Sequence, residues 1–568
     1  MWNKKSQMNR RFCISLIIIF FSIVVRGKTF YLDGELTGDC DGNYSIENRD
    51  NSGSDGDAYN NIQHAMDVLS GGDTLIIREG NYSRTGFDPR NPPEIGALDI
   101  GWGNSCDGTS SEHTVVMAYP GEQPVILAEP GKDHYNPDPG DITYTNSSRY
   151  YNNPAVGIHG EYIDVHGLKT YGQVVITYAS NILLEGCDLG GGGPHCDQGN
   201  VIVLNYWSHD VVIRNNRVHN SCWGENNDNG AAIICYHASA TIENNEFYDN
   251  WGADIYIKDT GEQEGRIIEV RYNFFRPSSI YPNCVGYVCH NQAMDIDTVY
   301  VHHNIFFSKA AGVQWGTVDV PDMPVFPYNN TFVNCTDMDL HAWGTTHRLI
   351  SYNNLFYHDN GVKHYYVAYN VESANYNLFH STTNEADWKL EGVITTDVLL
   401  EWQDSTGQDL NSANKDPLFV NANGNRPEDF KRQDYSGDVT GSPYSTICGA
   451  YETGDEIIGL VPGDSSYVKE NGKPLLKLSL EQYRTKPLIF NIIIKYYLPV
   501  NGRVSLKIFD LLGRDVATLV NRRQPAGEYE AEFDGCGLSS GVYFCRLDVR
   551  VPGYAKDLSA VRKLILVR

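Results

Sequence analysis

Asn215-Asn216-Arg217-Val218, Asn244-Asn245-Glu246-Phe247, Tyr272-Asn273-Phe274-Phe275, His303-Asn304-Ile305-Phe306, Asn329-Asn330-Thr331-Phe332, Asn353-Asn354-Leu355-Phe356 and Tyr376-Asn377-Leu378-Phe379 are copies of one phrase. In each, a short β-rich run ends in Asn, and an aromatic or aliphatic residue follows two places later. Successive final asparagines are 29, 28, 31, 26, 24 and 23 residues apart, a period at which self-similarity means a solenoid. Runs such as Asp210 to Arg214 and Ala240 to Glu243 read as strands, with no helical apolar periodicity between them. All-β rungs at this period predict a right-handed parallel β-helix. The asparagine is expected to tolerate left-handed backbone geometry and to stack its amide on the next rung, while the following Phe fills the interior. These asparagines are therefore structural rather than catalytic.

Working outward toward the N-terminus, residues 57–69 predict a short helix whose apolar face, Ile62, Ala65, Met66 and Leu69, caps the first coil. A strand over Thr74 to Arg78 and a turn at Glu79-Gly80-Asn81-Tyr82 follow. The run Gly72 to Ile77 resembles the N-terminal signature of secreted β-helix polysaccharide enzymes, where it begins the solenoid. Such a cap favours a monomer. Toward the C-terminus, Asp416-Pro417-Leu418-Phe419, Gly441-Ser442-Pro443 and Ile447 to Glu452 read as the closing turn, and the loop-like residues beyond are rich in Gly, Asp and Ser. The β-helix domain is placed at 28–452 and a linker at 453–478.

The last stretch carries Ile494-Lys495-Tyr496-Tyr497-Leu498-Pro499, Val504 to Asp510, Leu512-Gly513-Arg514, Pro525-Ala526-Gly527 and Gly537-Leu538-Ser539-Ser540-Gly541-Val542-Tyr543. It resembles the C-terminal sorting domain of the bacterial type IX secretion pathway. The resemblance implies a small antiparallel β-sandwich over 479–568 and the secretion machinery as a partner.

Bulk properties agree with export. The chain has 568 residues and a formal net charge of -27, with 71 acidic against 44 basic residues. That balance disfavours nucleic acid as a partner and supplies ready ligands for calcium. Lys4, Lys5, Arg10 and Arg11 precede an apolar run from Phe12 to Val25, which reads as a signal peptide over 1–27. No other apolar stretch is long enough to span a bilayer, so a secreted or cell-surface protein without a membrane span is expected. Of 13 cysteines, Cys13 lies in the leader and leaves 12, with Cys187–Cys196, Cys284–Cys289 and Cys536–Cys545 as candidate pairs. No Cys-x-x-Cys or His-x-x-x-His cluster points to zinc.

Laid in register, Asp254 to Lys258 aligns with Ala232 to Tyr236 and with Asp339 to Trp343. Period-two alternation then turns Ile255, Ile257, Leu340 and Ala342 inward, and Asp254, Tyr256, Lys258, Asp339, His341 and Trp343 outward. The outward set combines carboxylates, a lysine, a histidine and aromatic rings, which suits an acidic sugar chain. Rings stack on sugars, calcium bridges carboxylates, and a base removes the proton beside the uronate carboxyl. Tyr256, Trp343 and Asp339 are candidates for substrate binding and His341 for catalysis, while Asp228, Asn229, Asp295 and Asp297 are candidates to complete a cation site with Asp254.

Gly252 to Lys258 resembles the catalytic rung of β-helix polysaccharide lyases of the chondroitinase B and alginate lyase type. By that resemblance Lys258 is the base, Arg266 or Arg271 its helper and Asp254 a calcium ligand. Three functions stay open: a lyase acting on a uronate-containing polysaccharide by β-elimination, a β-helix glycoside hydrolase using paired acids such as Asp295 and Asp297, and a non-catalytic adhesive solenoid that binds carbohydrate.

Overall fold

The computed structural model describes residues 27–83, 96–101, 106–128, 154–191, 200–221, 230–258, 267–279, 283–289, 298–317, 325–344, 348–359, 363–368, 370–381, 388–434 and parts of 442–460, with most of the strands between 469 and 566. The expected signal peptide, save Gly27, lies outside these residues. Among the described residues the first region forms a 23-stranded and a 12-stranded sheet. Its rungs pair in parallel, so this is the parallel β-helix that the repeat predicts. One coil contributes to three faces. Ala231–Cys235, Ala253–Ile257 and Val285–Cys289 stack on what we call the site face. Ala240–Glu243, Ile267–Arg271 and Thr298–His302 stack on the second, and Glu246–Tyr248, Phe274–Phe275 and Ile305–Phe307 on the third.

The repeated phrase makes the corner between the second and third faces. Asn245 Oδ1 accepts from both the backbone N and the side-chain Nδ2 of Asn216, at 2.9 and 3.1 Å. The same double contact joins Asn245 to Asn273, Asn273 to Asn304, Asn304 to Asn330 and Asn330 to Asn354. These amides are fully buried, and stacking satisfies groups that would otherwise be orphaned. The left-handed conformation falls one residue earlier, on Asn215, Asn244, Tyr272, His303, Asn329, Asn353 and Tyr376, with φ of 53 to 57°. One expected role is thus divided between two neighbours. Inside the corner Phe247, Phe275, Phe306, Phe332, Phe356 and Phe379 form a continuous stack with centroids 4.5 to 5.1 Å apart, close to the spacing of strands in a sheet.

The cap forms over Ile62–Val68, with Asn61 Oδ1 accepting from the His64 amide at 3.0 Å and Ile62, Ala65 and Met66 buried. At the other end the expected closing turn is instead a strap running back along the outside of the solenoid. Asn353 donates to the Ser445 carbonyl, Asn329 to Ile447 and Asn244 to Ile457. Phe419, Phe430, Cys448, Tyr451 and Ile458 cover the outer side chains of the third face, among them Phe274, Ile305 and Leu355. The strap reaches Gly459, whose amide donates to Tyr272 O at 2.7 Å, so part of the expected linker is packed on the β-helix.

The C-terminal region is an antiparallel sandwich of a three-stranded and a four-stranded sheet. Its core holds Ile494, Tyr496, Val504, Leu506, Ile508, Phe533, Cys545 and Leu547. Cys284 and Cys289 are free thiols. They bound a single strand, Val285–Cys289, and five residues of extended chain separate them by about 16 Å, far beyond disulfide reach. Cys196 and Cys536, members of the other two candidate pairs, lie outside the described residues. Among the described residues no helix is long and apolar enough to cross a membrane.

Candidate functional site

The site face has the register expected from sequence, with Ile255 facing Tyr287, Tyr287 facing Val313, and Val313 facing Leu340. Ile255, Ile257, Leu340 and Ala342 are fully buried in the interior. One outward column runs Val175, Val203, Ile234, Tyr256, Val288, Gln314, His341, Tyr366 and Lys389. Its middle is covered: Val203, Ile234, Tyr256 and Val288 belong to a buried apolar cluster. Tyr256 is therefore not an open platform for a sugar ring. Its far end is polar and aromatic. His341 stacks on Tyr366 at 4.8 Å and 7°, and Lys389 Nζ stands 4.2 Å over the same ring.

Lys258 begins the next column outward. Its backbone N donates to Cys235 O at 2.9 Å, and its Nζ lies 5.2 Å from the Tyr236 ring and 5.4 Å from the Tyr256 ring. Such cation–π packing attracts the ammonium and fixes its position beside the two rings. Trp343 occupies the corresponding place on a later rung, beside Gly316. Gly316 has φ of 143°, and a Cβ there would sit 2.0 Å from Trp343 O, so the close approach of these two rungs requires glycine.

Beside Lys258, the turn between the site and second faces carries Tyr178, Tyr206, Trp207 and His237, all with positive φ. Tyr178 and Tyr206 stack at 5.1 Å and 7°, Trp207 lies 6.2 Å from Tyr178, and His237 lies 6.3 Å from Trp207. Tyr178 is 57% exposed, Tyr206 41% and Trp207 45%. Large rings open to water on a tight turn contribute little to the core and mark a binding surface. The sequence reading missed this run, because each ring sits after its strand and outside the period-two pattern.

Three further expectations are corrected. Asp254, expected outward as a calcium ligand, is fully buried, with Lys309 Nζ 2.7 Å and Asn250 Nδ2 2.9 Å from its oxygens. Burial pulls the Lys309 ammonium down, but the Asp254 carboxylate wins and holds it above its ordinary range. Asp339, expected to bind substrate, is also fully buried, between His358 and His364. The reason is shared. Asp254, Gly286, Gly312, Asp339 and His364 form one column at the corner between the third and site faces. A Cβ on Gly286 would lie 2.5 Å from the Phe306 ring, and one on Gly312 2.4 Å from the Phe332 ring, so this column points toward the phenylalanine stack. Arg271, the expected helper, projects from the second face and is committed to Glu243 and Glu269 at 2.7 and 2.9 Å. Arg266, Asp228, Asn229, Asp295 and Asp297 lie outside the described residues.

No protein-family model and no curated protein matches the chain. Among solved structures, it is similar to a mannuronic acid specific polysaccharide family 6 lyase enzyme from human gut microbiota, at 10% sequence identity and a TM-score of 0.30, over 68% of this chain and 87% of that one.

Proposed function

We propose that this protein binds an acidic polysaccharide along its site face and cleaves it by β-elimination, with Lys258 as the base. The placement of Lys258 carries the reading. Its ammonium packs by the Tyr236 and Tyr256 rings, beside the exposed rings of Tyr178, Tyr206 and Trp207 and the half-buried His237. Rings of this kind hold a sugar chain by its apolar faces, and a neutral amine within reach removes the proton beside the uronate carboxyl. The electron pair closes a carbon–carbon double bond, the bond from the sugar to the glycosidic oxygen breaks, and that oxygen takes up a proton. His341 and Trp343, further along the face, extend the surface available to the chain. In the same reading the C-terminal sandwich is the type IX sorting module, and the protein works outside the cell or at its surface.

A second reading, carbohydrate binding without cleavage, is favoured by the exposed aromatic run itself. A hydrolase would need paired carboxylates open to the sugar; the candidate pair, Asp295 and Asp297, lies outside the described residues.

Incubation of the protein with alginate, pectate and glycosaminoglycans, followed by the ultraviolet absorbance of the unsaturated product, separates these readings. A rise that Lys258→Ala abolishes supports the lyase. Binding without any rise, on every substrate, supports the adhesive solenoid. Calcium and chelator arms of the assay test the involvement of a hard cation, with Asp254 excluded from its ligands.

A further inference from the structure

The buried corner column holds a second cluster that the polysaccharide reading does not use. Asp339 and His364 face each other on the adjacent strands Met338–Gly344 and Lys363–Val367, and His358 closes the strand Leu355–His358 on the third face. All three are fully buried. His358 Nε2 lies 2.6 Å and His364 Nδ1 3.1 Å from the same oxygen, Asp339 Oδ2. One ligand atom from each residue falls within 4.8 Å of the others.

Two features distinguish this group from an ordinary hydrogen-bonded network. Asp254, in the same column, has the ammonium of Lys309 at 2.7 Å, whereas Asp339 is met by two imidazoles. A buried carboxylate without a fixed cation is costly. In addition, the second ring nitrogens, His358 Nδ1 and His364 Nε2, are buried and have no hydrogen-bond partner. Hydrogen bonding to Asp339 therefore uses one nitrogen of each ring and leaves the other unsatisfied, which calls for an explanation in a packed interior. The surroundings are apolar and fix the His364 ring: Phe356, Phe379 and Trp388 lie 5.5, 5.2 and 5.3 Å from it.

We propose that Asp339, His358 and His364 form a structural site for a zinc-type divalent cation that staples neighbouring coils. Two imidazoles and a carboxylate are zinc ligands, and all three are closed to solvent. The imidazole donors disfavour calcium and magnesium, which take oxygen. Binding changes no oxidation state. This proposal is independent of the lyase reading.

The test uses the full chain, unfolded and refolded with zinc or with chelator, then freed of loose metal and analysed by mass spectrometry for bound zinc. One zinc per chain, lost in Asp339→Ala and His364→Ala, is the expected result. No retained zinc in the wild-type chain, with a thermal midpoint indifferent to zinc and chelator, overturns the proposal; so does equal retention in folded variants. Cobalt in the wild-type chain gives a reading even where those variants fail to fold. A tetrahedral visible spectrum supports the site, and an octahedral spectrum, or no bound cobalt, overturns it.

Discussion

Asp254 and Asp339 occupy the same column of the solenoid, separated by two rungs that carry Gly286 and Gly312. Both are fully buried, yet the chain answers them differently. Asp254 is met by a lysine that reaches back from the end of the third face and also donates to Arg276 O at 3.0 Å. Asp339 is met by two imidazoles. Burial pushes its carboxyl up, but His358 and His364 outweigh that and hold it below the carboxylate range. A corner position of a β-helix thus accepts charge when the answering group is built into neighbouring rungs. A lysine makes that answer permanent, while imidazoles leave room for an ion.

The largest effect is expected from breaking the permanent pair. Lys309→Met leaves Asp254 buried beside no cation and should cost about 3–5 kcal/mol, while Asp254→Leu combined with Lys309→Met should recover most of that. Denaturant unfolding of the single and double variants checks this, and a single variant as stable as the parent would show that the pair is dispensable. At the other cluster, His364→Phe in metal-free protein removes one neutral partner from Asp339 and should cost about 1–3 kcal/mol. If it costs as much as Lys309→Met, the contrast between the two carboxylates disappears.

A third carboxylate, Glu185 on the second face, gives a pH reference outside this corner. Burial pushes it up, but the His166 hydrogen bond and the Arg214 guanidinium outweigh burial and draw it down to about 2. Arg214 Nε lies 2.7 Å from Glu185 Oε1. A carboxyl depressed in the folded state contributes stability above its unfolded value of 4.5, and the contribution is lost as pH falls from there toward about 2. Arg214→Gln raises the folded value and should move acid unfolding, followed by circular dichroism, to higher pH. An unmoved acid midpoint would remove Arg214 from the account. The smallest stability effect is expected at the exposed ring of Trp207, where Trp207→Ala should stay within about 0.5 kcal/mol of the parent while weakening polysaccharide binding in affinity electrophoresis.

These contrasts also mark how far the sequence could be read. The asparagine and phenylalanine positions were legible because they repeat in every coil and each repeat poses the same packing problem. The left-handed position was hidden: Tyr272, His303 and Tyr376 hold it as well as asparagines do, so residue type does not announce it. Alternation placed Ile255, Ile257, Leu340 and Ala342 inside and Lys258, His341 and Trp343 on the outer side of their strands. It failed at the second residue of the strands Ala253–Ile257 and Met338–Gly344, where Asp254 and Asp339 lie inward. The metal-ligand cluster was invisible for a related reason. Its residues, at 339, 358 and 364, come together only when neighbouring coils stack, and form no local motif. The strap from Ser442 to Gly459 has no periodicity and is held by side-chain amides from several coils, which sequence spacing does not reveal.

The most direct test of the functional account is a steady-state comparison of Lys258→Ala and Trp207→Ala with the parent protein on the polysaccharide that gives unsaturated product. The account predicts that Lys258→Ala abolishes kcat while polysaccharide binding persists, and that Trp207→Ala raises KM with kcat largely kept. Product formation by Lys258→Ala at the parent rate would contradict it.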